Sequence, residues 1–162
     1  VFVPKKIWNN ISRQDAAGLV QAVQFPCCRT ENKMDLSELI QKAQEAKEKA
    51  YVPYSGFHVG AALLCKDGTI FTGCNIENAA YGPTNCAERT AIFKAVSEGY
   101  REFQAIAIIS DSEEVTSPCG VCRQVMAEFC GPEFEVTMVS CKGDYKTVTL
   151  EELLPYAFSM KK

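Results

Sequence analysis

At 162 residues, with a net charge of −3 and 47% hydrophobic residues, the chain is long enough for one domain that buries about two-thirds of the surface its unfolded form exposes. No apolar run reaches the roughly eighteen residues that a membrane helix requires, so a soluble globular protein is expected and a membrane partner is excluded. The acidic balance supplies no electrostatic footprint for a phosphate backbone, which argues against nucleic acid as a partner.

Residues 1–33 differ in character from the rest. Lys5, Lys6, Arg13, Arg29 and Lys33 against Asp15 and Glu31 make this stretch +3, leaving −6 for the remainder of the chain. Residues 16–25 are mildly apolar but are interrupted by Gln21 and Gln24 and lack a small-residue cleavage pattern, so a secretory signal is not expected. The reading for residues 1–33 is an N-terminal extension of uncertain role, with an organelle-targeting segment as the sharper alternative. Residues 34–162 are expected to form the single main domain, and Met34 directly precedes its first regular helix.

In that helix Asp35 is placed as N-cap with Glu38 three later, a variant of the capping box, and Leu36, Leu39, Ile40, Ala43 and Ala50 line one face. Residues 57–65 and 69–74 read as two antiparallel strands around the Asp67-Gly68 turn. Residues 86–99 predict a helix that is apolar almost all round and ends at Gly99. Residues 105–109 form a continuous apolar strand, the pattern of one covered on both faces and central in its sheet. Ser117 is then expected to cap a helix with Pro118 in its first turn, Val121, Val125, Met126 and Phe129 on its buried face, and Gly131-Pro132 as its stop. Strands at 135–140 and 145–148 come next, and Thr149 with Glu152 forms a capping box before Leu150, Leu153 and Leu154. This order predicts an α/β protein: a three-layer α/β/α sandwich around a mixed sheet of roughly five strands.

Nine cysteines are many for such a chain, but their odd number and irregular spacing do not suit a secreted disulfide framework; reduced thiols and a cytoplasmic location fit better. Three stand out. Cys119 and Cys122, in Pro118-Cys119-Gly120-Val121-Cys122, are three apart and share a face on a first helical turn, and Cys86 supplies a third thiolate. Three protein ligands leave one vertex of a zinc tetrahedron for water, whereas a fourth would have made the site structural. Glu88 follows Cys86 by two, so helix-face geometry alone does not bring both to one ion. The spacing works if the metal sits off the helix end, the alternative being a glutamate that stabilises a helix start. Arg89, three after Cys86, can donate to its sulfur and withdraw charge, or be an ordinary surface arginine. His58, the single histidine, is not expected to be a ligand, and Cys27, Cys28, Cys65, Cys74, Cys130 and Cys141 read as small hydrophobes. A thioredoxin-like redox protein using Cys119 and Cys122 is the competing reading, but it leaves Cys86 and Glu88 unexplained.

Cys86-Ala87-Glu88-Arg89-Thr90 and Pro118-Cys119-Gly120-Val121-Cys122 occur with Pro53-Tyr54-Ser55, Phe57, Val59-Gly60-Ala61, Asn75-Ile76-Glu77-Asn78 and Leu153-Leu154-Pro155. In that order, over roughly three-quarters of the chain, these motifs resemble the cytidine deaminases, whose three-cysteine branch is a small homotetramer with shared active sites. The resemblance implies one Zn²⁺ per subunit on Cys86, Cys119 and Cys122, Glu88 as the catalytic proton carrier, and Arg89 tempering the thiolate charge. It also implies Asn75 and Glu77 at the ribose hydroxyl and Phe57, Ala87, Tyr54 and Tyr81 around the substrate, with Phe158 reaching in from a neighbouring subunit. The substrates it implies are free pyrimidine nucleosides, cytidine and deoxycytidine, hydrolysed to the uracil nucleosides and ammonia for salvage. An aminonucleoside-antibiotic deaminase on the same fold is the nearest alternative.

Overall fold

The structure is a computed structural model that describes residues 35–160. The expectations for residues 1–33, Cys27 and Cys28 among them, lie outside the described residues. The elements among the described residues are, in chain order, α1 (Leu36–Lys47), β1 (Val59–Cys65), β2 (Ile70–Cys74), α2 (Ala87–Ser97), β3 (Phe103–Ser110), α3 (Gly120–Phe129), β4 (Glu135–Val139), β5 (Tyr145–Thr149) and α4 (Leu150–Leu153). The strands form one five-stranded sheet in the order β2-β1-β3-β4-β5. Only β3 and β4 are parallel; the other three neighbouring pairs are antiparallel. The sheet is therefore mixed, as expected, with helices on both faces.

Burial follows from strand position. β1 and β3 are central, and their apolar runs are buried almost without a break, because both faces of each strand are covered. β2 at the edge alternates between buried and half-buried residues. On one face Leu39 and Ala43 of α1 pack on Ala62, Leu64, Ala105, Ala107 and Ile109. On the other, Ala91, Ile92 and Ala95 of α2 and Cys122 and Met126 of α3 pack on Leu63, Ile106, Ile108, Val136 and Met138. Truncating a fully buried member such as Ile92 or Met126 to Ala costs about 2–5 kcal/mol. Two strand glycines allow the close approach: a Cβ on Gly60 would overlap the Ala43 carbonyl, and one on Gly73 the Ala87 carbonyl at the start of α2.

Several boundaries differ from the sequence expectation, each for a local reason. The first strand begins at Val59 and not at residue 57, because the Asn75 amide accepts from Val59 N at 2.9 Å and donates to Phe57 O at 2.8 Å. Asp35 does cap α1, but its carboxylate accepts from Ser37 N, while Glu38 N goes to the Asp35 carbonyl. That helix stops at Lys47, leaving Ala50 in the turn beyond it. The third helix begins at Gly120 with Cys119 as N-cap, so Ser117 is not its cap; the Ser117 hydroxyl instead accepts from Arg123 Nη2 at 3.0 Å. The Thr149/Glu152 capping box forms as predicted. Among the remaining cysteines Cys65 is buried and Cys74 and Cys130 are half-buried, but Cys141 is exposed and is not a core residue.

Asp111, just after β3, ties three elements together. Its carboxylate accepts from Lys47 Nζ at 2.9 Å and His58 N at 2.8 Å, and lies 2.7 Å from His58 Nδ1. Burial pulls its pKa upward, but the Lys47 and His58 hydrogen bonds outweigh it and bring it down from 3.8 to about 2. A depressed carboxylate pKa adds stability that is complete above the unfolded value and is lost as pH falls through the folded one. Melting temperatures of the parent and Asp111→Asn should therefore differ most above pH about 4 and converge toward pH 2. A gap that stays constant over that range would refute the assignment.

Candidate metal centre and active site

Local sequence puts the site where two helices begin. Cys86 is the N-cap of α2 and Cys119 the N-cap of α3; both backbones are extended there, and neither side chain caps its helix. Cysteine is not among the good N-capping residues, so both helices start without the side-chain oxygen that would satisfy their first N–H groups. Those N–H groups and the positive ends of the helix dipoles favour negative charge at the two sulfurs. The third sulfur, Cys122, is fully buried in the first turn of α3.

The three Sγ atoms lie within 4.8 Å of one another. Cys86 Sγ is 3.9 Å from Cys119 Sγ, and Cys119 Sγ is 3.5 Å from Cys122 Sγ. A tetrahedral zinc with Zn–S bonds of about 2.3 Å requires sulfur–sulfur edges of about 3.8 Å. The donor set, its spacing and the two dipole ends thus fit a zinc ion held by three thiolates. Among the described residues no other group of His, Cys, Asp and Glu is gathered closely enough to hold a metal.

The surroundings of Cys86 favour its ionised form. A hydrogen bond from Cys122, opposed by burial and helped by Arg89, brings its pKa down to about 5. The same contact, burial and the neighbouring Glu88 carboxylate push Cys122 upward. Arg89 sits as its spacing predicts, with Nη2 donating to Cys86 Sγ at 3.6 Å and to Thr84 O at 3.2 Å. Its buried Nε has no hydrogen-bond partner, a cost that its charge recovers only beside sulfur anions.

Glu88 lies in the first turn of α2 and is 4% exposed. Burial pushes its carboxyl up to about 7; its own backbone N–H and Cys122 pull the other way, and the Cys86 charge adds to the rise. A carboxyl at that value can both take and return a proton. The puzzle of the two-residue spacing disappears because Cys86 is outside the helix and Glu88 inside it, so each reaches the sulfur cluster from its own side. His58 is paired with Asp111 and is not one of the residues grouped with the sulfurs.

The residues expected around a substrate are placed by loops. Segments near 51, 76 and 85 are cross-linked by bridges between Tyr51 and Ile76 and between Ile76 and Asn85, and Asn85 precedes Cys86. Glu77 Oε2 accepts from Tyr54 N at 2.9 Å and Ser55 N at 3.2 Å. Tyr54, Ser55, Glu77, Asn78, Tyr81 and Thr84 line a cleft of about 260 Å³. Asn75 and Glu77 therefore hold the backbone of the Tyr54–Phe57 loop, a task that their sequence signal did not reveal. Ala87 is fully buried, Phe57 is partly exposed, and Phe158 is 70% exposed, its carbonyl held by Gln124 Nε2 at 2.9 Å. Arg123 was missed by the sequence reading; its hydrogen bonds run to residues 117, 118 and 153, a pattern without a local signature.

A buried carboxylate beside three sulfurs at two helix ends defines a zinc hydrolase of the deaminase kind. The family profile described as "Cytidine and deoxycytidylate deaminase zinc-binding region" matches residues 33–138, and the chain belongs to that family. It is 59% identical over 126 residues to a cytidine deaminase of Sporosarcina psychrophila, covering 78% of this chain and 93% of the relative. It is 34% identical over 130 residues to a blasticidin-S deaminase of Bacillus cereus, covering 75% of this chain and 91% of that relative. A solved cytidine deaminase from Burkholderia pseudomallei superposes with a TM-score of 0.76 at 51% identity, covering 77% of this chain and all of that one.

The protein should carry one zinc per chain by metal analysis. Cys86→Ala, Cys119→Ala and Cys122→Ala should each bring zinc well below stoichiometric after dialysis, whereas His58→Ala should retain it. A cysteine variant that keeps full zinc would remove that residue from the ligand set.

Proposed function

We propose that this protein hydrolyses the exocyclic C–N bond of cytidine and deoxycytidine, releasing ammonia and leaving the uracil nucleoside. The observation that carries the reading is the buried Glu88 carboxylate next to the Cys86, Cys119 and Cys122 sulfurs. When bound, zinc supplies Lewis acidity that makes water a nucleophile near neutral pH. Glu88 takes the first proton from the attacking water and delivers it to ring N3, which makes C4 electrophilic. The oxygen bonds to C4, which becomes tetrahedral. Glu88 then takes the remaining hydroxyl proton and gives it to the amino group, the C4–N bond breaks, and C4=O forms as ammonia leaves. One water is consumed, and its two protons end on N3 and on ammonia. Burial keeps bulk water from exchanging with the carboxyl during the two transfers.

The cleft next to Glu77 contains no Lys or Arg, and the Glu77 carboxylate would repel a 5′-phosphate, which supports a free nucleoside over a nucleotide. Asn75 and Glu77 act on the ribose while bracing the Tyr54–Phe57 loop, and Phe57, Tyr54 and Tyr81 flank the substrate. The exposed aromatic and apolar tail residues Tyr156, Phe158 and Met160 support a homotetramer in which Phe158 completes a neighbour's site. The seven cysteines outside any disulfide among the described residues support a reducing, cytoplasmic setting, and the reaction itself suits nucleoside salvage. No helix among the described residues is long and apolar enough to cross a membrane.

Incubation with cytidine, deoxycytidine, cytosine, deoxycytidylate and blasticidin S, with absorbance and ammonia release as readouts, tests the reading. The two nucleosides should turn over and the free base and nucleotide should not; turnover of blasticidin S alone would favour the antibiotic deaminase. Glu88→Gln should keep its zinc and lose at least about 10²–10⁴ in kcat/KM. Activity retained by that variant would overturn the proton-carrier role.

A further inference from the structure

Cys119 is the exposed member of the three sulfurs, so packing alone does not fix it. The stretch before it belongs to no strand or helix, Pro118 has no N–H to donate, and the Cys119 thiol caps nothing. The side chain of Arg123, one residue past Cys122, grips the two residues that lead into Cys119, while its backbone makes the first helical bond of α3. Its backbone N donates to Cys119 O at 3.0 Å, its Nε to Pro118 O at 2.8 Å and its Nη2 to Ser117 Oγ at 3.0 Å. Its Nη1 donates to Leu153 O at 2.7 Å, at the end of α4. The guanidinium thus links the loop that presents Cys119 to the end of α4.

We infer that Arg123 is a positioning residue for the metal: its fork ties Ser117 and Pro118 to the end of α4 and, through Pro118, sets the adjoining Cys119 sulfur in register with Cys86 and Cys122 before an ion binds. The inference rests on the zinc reading of the cluster. A planar fork with fixed donor directions is what the geometry uses, since three acceptors in three directions cannot be held by one ammonium at the same reach. Loss of the fork leaves the loop free to move, and the ordering it had supplied must then come out of the zinc-binding free energy.

The test is zinc affinity, by competition with a chromogenic chelator, and melting of zinc-loaded and chelated protein. Arg123→Met should raise the zinc Kd about 10- to 100-fold, and Arg123→Lys should recover little of it. The melting gap between loaded and chelated forms should narrow in both variants. Gln124→Ala, which releases the Phe158 carbonyl but not the loop, should leave zinc affinity as in the parent. Ser117→Ala removes one of the fork's bonds; it should weaken zinc by a smaller factor, and it serves if Arg123→Met does not fold. Equal destabilisation of loaded and chelated protein with an unchanged zinc Kd would overturn the inference, leaving Arg123 as an anchor of α4. A parent protein that binds no zinc at all would instead overturn the zinc reading on which it stands.

Discussion

Two helices of one chain begin at the same point, and the rest of the site depends on that convergence. The N-terminus of a helix carries unpaired N–H groups and a partial positive charge, and two such ends aimed at one spot repel each other unless negative charge lies between them. In this protein the charge is sulfur. Cys86 and Cys119 stand at the N-cap positions and Cys122 one turn inside, with sulfur separations of 3.9 Å from Cys86 to Cys119 and 3.5 Å from Cys119 to Cys122. Both helices give up the capping oxygen that a serine or aspartate would provide. The sheet underneath carries that sacrifice: α2 lies directly on Gly73 of β2, and Ile92 and Met126 sit in the same buried cluster as Ile106, Ile108, Val136 and Met138.

Charge balance explains the neighbours of the sulfurs. Three thiolates around Zn²⁺ leave −1, and that excess electron density weakens the ion's acidity toward water. Arg89 and the two helix ends draw charge back from the sulfurs, and Arg89 does so with its Nε left without a partner. Glu88 is held in the same low-dielectric space, where burial, with the Cys86 charge adding to it, lifts its carboxyl to about 7. Proton transfer needs a group that is neither firmly ionised nor firmly protonated at the working pH, and burial beside sulfur suits this glutamate to the role proposed for it.

Much of this was legible in the sequence, and the failures have physical causes. Cys119 and Cys122 were legible as a pair because i, i+3 spacing is a local fact, whereas Cys86, 33 residues before Cys119, joined them only through the resemblance of its motif; the central strand was legible because residues 105–109 are apolar on both faces. The start of α3 was misplaced for the opposite reason. Ser117 followed by Pro118 is a sound local signal for a cap, but the chain uses the serine to receive Arg123 and gives the cap position to a ligand. Arg123 itself was invisible because one of its acceptors, Leu153 O, is 30 residues away and backbone carbonyls leave no trace in side-chain identity. The contact between Asn75 and Val59, 16 residues apart, was equally beyond the reach of spacing, since it depends on the hairpin register that pairs Cys74 with Gly60.

That register has a consequence for how substrate residues work. Regular pairing of β1 and β2 ends at Gly60 and Cys74; past it Asn75 N still donates to Val59 O at 3.1 Å, and side chains take up further backbone groups. Asn75 does so with its own amide, taking the Val59 N–H and giving to the Phe57 carbonyl, and Glu77 does the same for the Tyr54 and Ser55 N–H groups. The loop beside the cleft is therefore held by the same side chains that are proposed to meet the ribose. A substitution at Asn75 or Glu77 removes a contact and releases the loop that carries Phe57 in one stroke, so the two effects are coupled and do not add. Loop walls fastened by side chains as well as by the bridges at Tyr51, Ile76 and Asn85 stand on a sheet whose packed helices hold the sulfurs and the carboxylate in place.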